Sequence, residues 1–348
     1  MKKVALCLAI LIGLLITPVH ASEIVAPEVP ESGRVYLNEE PVTFTQGLME
    51  ILSNAMDALQ PAILEAAKTC IGLIAAVMML SVAQAVCGGK QQAVQLVGTV
   101  VIAILVFGSA KSFIYLGENT VREISDYGKL LLPVMASALA AQGAVTTSAA
   151  LYTGTAFFDS LLSSLVSSVI VPLLYVYLVL CVACNAIGED SLEKLKELVK
   201  WLMTWLLKTV LYVFTGYLGI TGVVSGGVDA AAMKATKLTI SGAVPVVGGI
   251  LADASEAVLV SARIVKNAVG IYGLLAAIAI WIGPFIRLGV QYLLLKLTWA
   301  VCGVFGPKEN VKLIGDFSGV MGFLLGTTGT VCLLVLVSTI CLMRCVGI

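Results

Sequence analysis

The sequence predicts an all-α fold, a polytopic helical membrane protein with about seven or eight spans, on three observations. Hydrophobic residues make up 59% of the 348 and charged residues only 12%. A soluble domain carries roughly 25% charged residues, so this chain lacks the polar cover of a globule in water. Charge-free windows near twenty residues recur along it, the length that about 30 Å of hydrocarbon demands at 1.5 Å per residue. The polar connectors between those windows are short, which leaves no room for a separate soluble domain.

Residues 1–21 read as a cleaved signal peptide: Lys2 and Lys3, an apolar run from Val4 to Ile16, then Val19-His20-Ala21 as a small-x-small cleavage site. The run is too short to span a bilayer. The 21 basic and 21 acidic residues cancel, and removing the leader tips the balance to about −2. That balance excludes a nucleic-acid-binding body. His20 is the single histidine and falls in the leader, so the mature chain excludes histidine triads, histidine metal sites and imidazole relays. Residues 22–65 form an acidic extracytoplasmic arm with seven glutamates, Asp57 and only Arg34 in opposition. Pro27, Pro30 and Pro41 interrupt its first half, which is expected to be a tether up to Val42. From Phe44 to Leu64, the residues Leu48, Ile51, Leu52, Ala55, Met56, Leu59 and Ile63 recur at helical spacing and predict an amphipathic helix.

Residues 66–348 form the polytopic transmembrane domain. Its clear spans are Thr69–Cys87, Gln91–Ala110, Ser160–Gly188, Thr209–Val228, Asn267–Ile286 and Phe317–Met343, with Leu288–Gly306 a seventh interrupted by Lys296. Polar stretches at 88–90, 117–129, 189–200 and 307–316 read as hinges and loops. Leu130–Phe158 and Leu238–Ala252 are uncharged but rich in small residues and carry Pro133 and Pro245. They are candidate re-entrant, pore-lining segments, since irregular backbone at membrane depth needs protein or water around it. If Leu130–Phe158 crosses, the count is eight, and otherwise seven. Pro133–Ala140 resembles Pro245–Ala252, and a further proline follows each by 39 residues, at Pro172 and Pro284. That interval makes an internal duplication a candidate.

Gly315, Gly319, Gly322, Gly326 and Gly329 alternate spacings of four and three, which puts bare backbone along one seam of a helix for close helix packing. Gly216, Gly219, Gly222 and Gly226 repeat this less regularly. Cys181 and Cys184 form C-x-x-C inside an apolar helix with no second pair, so they read as small apolar filler, not as a redox or metal motif. Gly88-Gly89-Lys90 and Ala110-Lys111-Ser112 lack the remaining parts of a phosphate loop. Ser191–Lys194 matches S-x-x-K only formally and reads as a solvated helix face. Lys296 falls mid-segment and is a candidate for the edge of a water path, with snorkelling to the interface as the alternative. No cofactor, catalytic residue or metal site is expected, and the chain is not expected to be an enzyme.

Ser241, Gly242, Pro245, Gly248 and Gly249, followed by Asp253 and then Lys266, Asn267 and Gly270, resemble the stage III sporulation protein AE family. The resemblance covers nearly the whole chain. It implies a multi-pass subunit of a mother cell–forespore channel or secretion-like complex required for endospore formation, as channel base or export gate in the mother-cell-derived membrane around the forespore. The partners it implies are ring-forming proteins and an ATPase of the same operon, a forespore-membrane protein and the lipid bilayer. A secondary permease for small solutes within the same complex is the rival reading.

Overall fold

A computed structural model describes residues 26–37, 43–86, 91–142, 144–187, 190–243 and 248–344, with backbone alone at 91–92, 190–191, 222–266 and 344. Every regular element among them is helical. A short turn, α1 (Glu31–Arg34), precedes α2 (Phe44–Val86), α3 (Gln91–Ala140), α4 (Val145–Leu165), α5 (Val171–Ile187), α6 (Asp190–Ala243), α7 (Gly248–Cys302) and α8 (Lys308–Arg344). Among the described residues, six helices, α4 and α5 counting as one, are long and apolar enough to cross a membrane.

The helical state is a demand of the solvent. Val331–Ile340 is rich in β-branched residues that favour strands in water. In hydrocarbon each unmet backbone group costs several kcal/mol, and a helix satisfies all of them within the segment. The hydroxyls follow the same rule. Those of Thr327, Ser338 and Thr339 donate to the carbonyls of Phe323, Leu334 and Val335, at 2.9, 2.7 and 2.8 Å.

Between α4 and α5 lies one π-helical turn, Val166–Ile170. Pro172 has no N–H and its ring crowds the carbonyl four residues earlier. The turn widens there, and the Val171 N–H reaches back to the Val166 carbonyl. Pro61, Pro133 and Pro284 lie inside α2, α3 and α7, so the chain continues as helix through each.

The helices run up and down with short connections. α7 and α8 are antiparallel at the centre: Gly315 meets Trp299, Gly322 meets Tyr292, and Gly270 meets Met343. α3 runs parallel to α8, with Phe107 edge-on to Phe317 at 6.0 Å between ring centroids, Gly117 against Leu324 and Gly128 against Val335. α2 lies along α7, where Ser81 Oγ donates to the Phe305 carbonyl at 2.8 Å. α4 and α6 join through Phe158, whose ring lies 5.4 Å from that of Phe214. Fully buried Leu275, Ala276, Ala279, Ile280, Val331, Leu334 and Val335 mark α7 and α8 as the core.

Four expectations are corrected. The span count is six among the described residues, because Asn267–Ile286 and Leu288–Gly306 belong to the single helix α7. Leu130–Phe158 is not a single spanning helix: α3 ends at Ala140 and α4 starts at Val145, and Ser148 Oγ donates to the Ala136 carbonyl across the corner. The polar stretches 117–129, 190–200 and 308–316 are helical, not loops, since a helix can carry charges on one face while its other face packs. The arm is not a free tether over residues 26–37. Val29 and Leu37 are buried in the core, Gly33 sits against Ile280, and Tyr36 covers Gly283. The prolines that rule out a long helix there also lower the entropy lost on docking. Further on, α2 runs unbroken through residues 65 and 66, so the amphipathic stretch and the first span are one rod.

Candidate functional site

Where α5, α6 and α8 meet near the start of α8, polar side chains tie the bundle together. Lys196 of α6, with 5% of its side chain exposed, donates to Asp316 Oδ2 of α8 at 3.0 Å and lies 2.9 Å from Glu193 Oε1 one turn back. Glu193 Oε2 accepts from Lys312 Nζ at 2.8 Å, which extends the pair into a network of four charges. Nearby, Thr99 Oγ1 donates to Asn310 Oδ1 at 3.2 Å, and Gln95 Nε2 donates to the Asn185 carbonyl at 3.2 Å. An isolated buried lysine would carry a desolvation cost of several kcal/mol; the two carboxylates at Lys196 offset it. Beside this network opens a cavity of about 400 Å³, lined by Lys296, Trp299, Lys308, Lys312 and Asp316. Lys296 is on the outside of α7, its Nζ 4.6 Å from the Trp299 ring centroid.

The second polar feature runs along α3. Lys111, Tyr115, Glu118, Arg122, Asp126 and Lys129 fall within about 80° of one face at 100° per residue. Arg122 and Asp126 are 60% exposed, and Lys129 is 51% exposed. Arg122 pairs with Glu118 at 3.2 Å and Lys129 with Asp126 at 2.8 Å. The Gly117–Leu324 and Gly128–Val335 contacts set this stripe at the depth of the charge-free segment 317–343 of α8. At that depth α8 exposes Leu333, Val337 and Ile340. A groove of about 350 Å³ between α2, α3 and α7 adjoins the stripe, lined by Glu65, Ser112, Tyr115, Asn119, Arg287 and Gln291 among others. Gln291 is 2% exposed and its Nε2 has no partner.

A third group lies inside. Asp159 of α4 is fully buried; its Oδ2 accepts from Ser125 Oγ at 2.8 Å and its Oδ1 has no partner. Gly128 lies beside it, between the carboxyl and Val335 of α8.

Among the residues singled out from sequence, Gly315, Gly322 and Gly329 are seven apart and face the rings of Trp299, Tyr292 and Trp281 on α7. Gly319 and Gly326 face open space, as do Gly216 and Gly219. Gly222 and Gly226 lie within α6, outside the residues with described side chains. Of the motif, Ser241 and Gly242 close α6, and Gly248, Gly249, Asp253 and Lys266 lie in the first part of α7, without described side chains; Pro245 lies outside the described residues. Asn267 is exposed, whereas Gly270 is buried against Met343 and Met135. Cys181 and Cys184 are buried free thiols. Among the described residues, no three His, Cys, Asp or Glu side chains converge on a site for a metal ion.

The Lys196–Asp316 pair and Asp159 were not singled out from sequence. Glu193 and Lys196 have the i,i+3 spacing of a helical pair, but nothing local links Lys196 to a residue 120 positions away. Asp159 had a signal: it is the lone acid between two uncharged windows, Leu130–Phe158 and Ser160–Gly188.

Fold and site together define a polytopic α-helical membrane protein with one charge-stitched end and one polar flank. A family profile described as Stage III sporulation protein AE matches residues 40–346, and the chain belongs to that family. It is similar to "Stage III sporulation protein AE" of Bacillus subtilis (strain 168), 21% identical over 218 residues that cover 63% of this chain and 55% of the relative. The chain thus spans about half the length of the curated relative it matches. No solved structure matches.

Proposed function

We propose that the chain is a membrane subunit of a channel or secretion-like complex between mother cell and forespore, serving as channel base or export gate. The observation that carries this reading is the exposed polar stripe on α3 at the depth of an apolar, exposed α8. A charge facing lipid at mid-bilayer costs about 2.5–3.5 kcal/mol even by the mildest scale. Arg122, Asp126 and Lys129 together would then cost roughly 8–10 kcal/mol, comparable to the whole stability of a folded domain. Exposure to water is therefore the state that lets this flank coexist with the lipid-suited one. Family membership supports a sporulation setting, with the mother-cell-derived membrane around the forespore as the location. Ring-forming subunits, an ATPase and a forespore-membrane protein are the proposed partners. The role is passage, with energy supplied by a partner, and no bond-making is assigned to this chain.

A secondary permease is the second reading, favoured by the groove with its unpartnered Gln291 amide. One experiment separates the two. Single cysteines at Tyr115, Arg122, Lys129, Leu333 and Val337, in a background with the native cysteines replaced, are exposed in membranes to an impermeant thiol reagent. Reaction at the three α3 positions and not at the two α8 positions is expected. Reaction confined to Tyr115, which borders the groove, favours the permease; protection of all three α3 positions removes the water-facing flank.

A further inference from the structure

We propose that the cavity between the end of α7 and the start of α8 is a binding site for a phospholipid with an anionic headgroup. Three lysines converge on it from two helices: Lys296 on α7, and Lys308 and Lys312 one turn apart on α8. Lys312 is engaged by Glu193, and the lining carboxylate Asp316 is engaged by Lys196. Lys296 and Lys308 have no carboxylate at ion-pair distance among the described residues, so the cavity keeps an excess of positive charge facing outward. At about 400 Å³ it has room for a phosphate and its glycerol.

The source of the phosphate follows from what surrounds the lysines. Leu293 and Leu297 on α7 are 63% and 60% exposed beside Lys296. Apolar side chains exposed along a spanning helix are the surface on which acyl chains lie, and a phosphate tethered to such chains is held at the lysines. Trp299 supplies the ring at this boundary, with Lys296 over its face. A free phosphate would find the lysines but make no use of the apolar track. Basic pockets between spanning helices at one membrane surface suit anionic headgroups on the same electrostatic grounds.

This site is independent of the conduit reading, since it lies on other helices and uses none of the α3 stripe. The test uses the full-length protein in detergent, with native mass spectrometry of bound lipid during titration with phosphatidylglycerol or phosphatidylcholine. Wild type is expected to retain phosphatidylglycerol in preference. The variant Lys296→Gln/Lys308→Gln should lose that retention at least tenfold, while Lys194→Gln/Lys200→Gln, which removes two exposed lysines of α6, should keep it. Equal retention of both lipids by wild type, or unchanged retention in the Lys296/Lys308 variant, would overturn the proposal. Displacement of phosphatidylglycerol by millimolar inorganic phosphate would assign the site to free phosphate and overturn the lipid.

Discussion

Lys196 shows how one buried charge constrains its neighbours. Its side chain is 5% exposed and that of Asp316 is 16% exposed, so each depends on the other to stay charged in the packed interior. Removing one member of such a pair costs about 3–5 kcal/mol, whereas replacing both by apolar groups is often neutral. Lys196→Met is therefore expected to destabilise the protein by about 3–5 kcal/mol in denaturant unfolding in micelles, and Lys196→Met/Asp316→Leu should recover most of that loss. A double variant as unstable as the single one would show that the network around Glu193 and Lys312, and not the pair, carries the effect. Sequence reading reached Lys296, because a cation in an apolar window is visible by inspection. It did not reach Lys196, which sits in a charged stretch and becomes notable only when α8 places Asp316 against it.

The same limit appears at the level of the helix. The glycine seam was legible as a spacing, but spacing cannot tell which glycines meet a neighbour. The structure divides it by sevens: Gly315, Gly322 and Gly329 are slots for aromatic rings of α7, while Gly319 and Gly326 face outward or into open space. Gly322→Leu must displace Tyr292, which lies 3.0 Å from where a Cβ would stand, and should cost about 1–3 kcal/mol of unfolding free energy. Gly326→Leu meets nothing within the chain and should stay within about 0.5 kcal/mol of wild type. Equal losses in the two variants would refute this division. If Gly326→Leu instead disrupts assembly while the isolated chain stays stable, the outward glycines are where another subunit packs. Helix ends were harder to read than helix existence. α3 carries Glu118, Arg122, Glu123, Asp126 and Lys129 without a break, because its opposite face continues to pack against α8 through Gly117 and Gly128.

At the scale of the molecule, an even number of candidate crossings among the described residues has a consequence for sidedness. Among the described residues, six alternating helices put Val86, Ile187 and Cys302 at one end of the bundle, and Phe44, Val145 and Arg344 at the other. Single cysteines at Phe44 and Arg344 should therefore share one accessibility, opposite to that of a cysteine at Lys308, when intact and permeabilised vesicles are compared. A shared pattern for Phe44 and Lys308 would restore an odd count. Composition and charge-free windows were enough to establish the helical membrane class. They overcounted the crossings because Arg287 divides one apolar helix into two windows, although α7 carries it on an exposed face without interruption.

The docked segment also sets an order of events during synthesis. Gly33 and Tyr36 rest on Ile280 and Gly283, so they have nothing to dock on until the fifth crossing has been made. At about 5–20 residues per second, the ribosome needs roughly 12–50 s to cover the intervening 250 or so positions. During that interval the nascent N-terminal strap is open to proteases and to helper proteins, and it closes only when the later half of the polypeptide arrives.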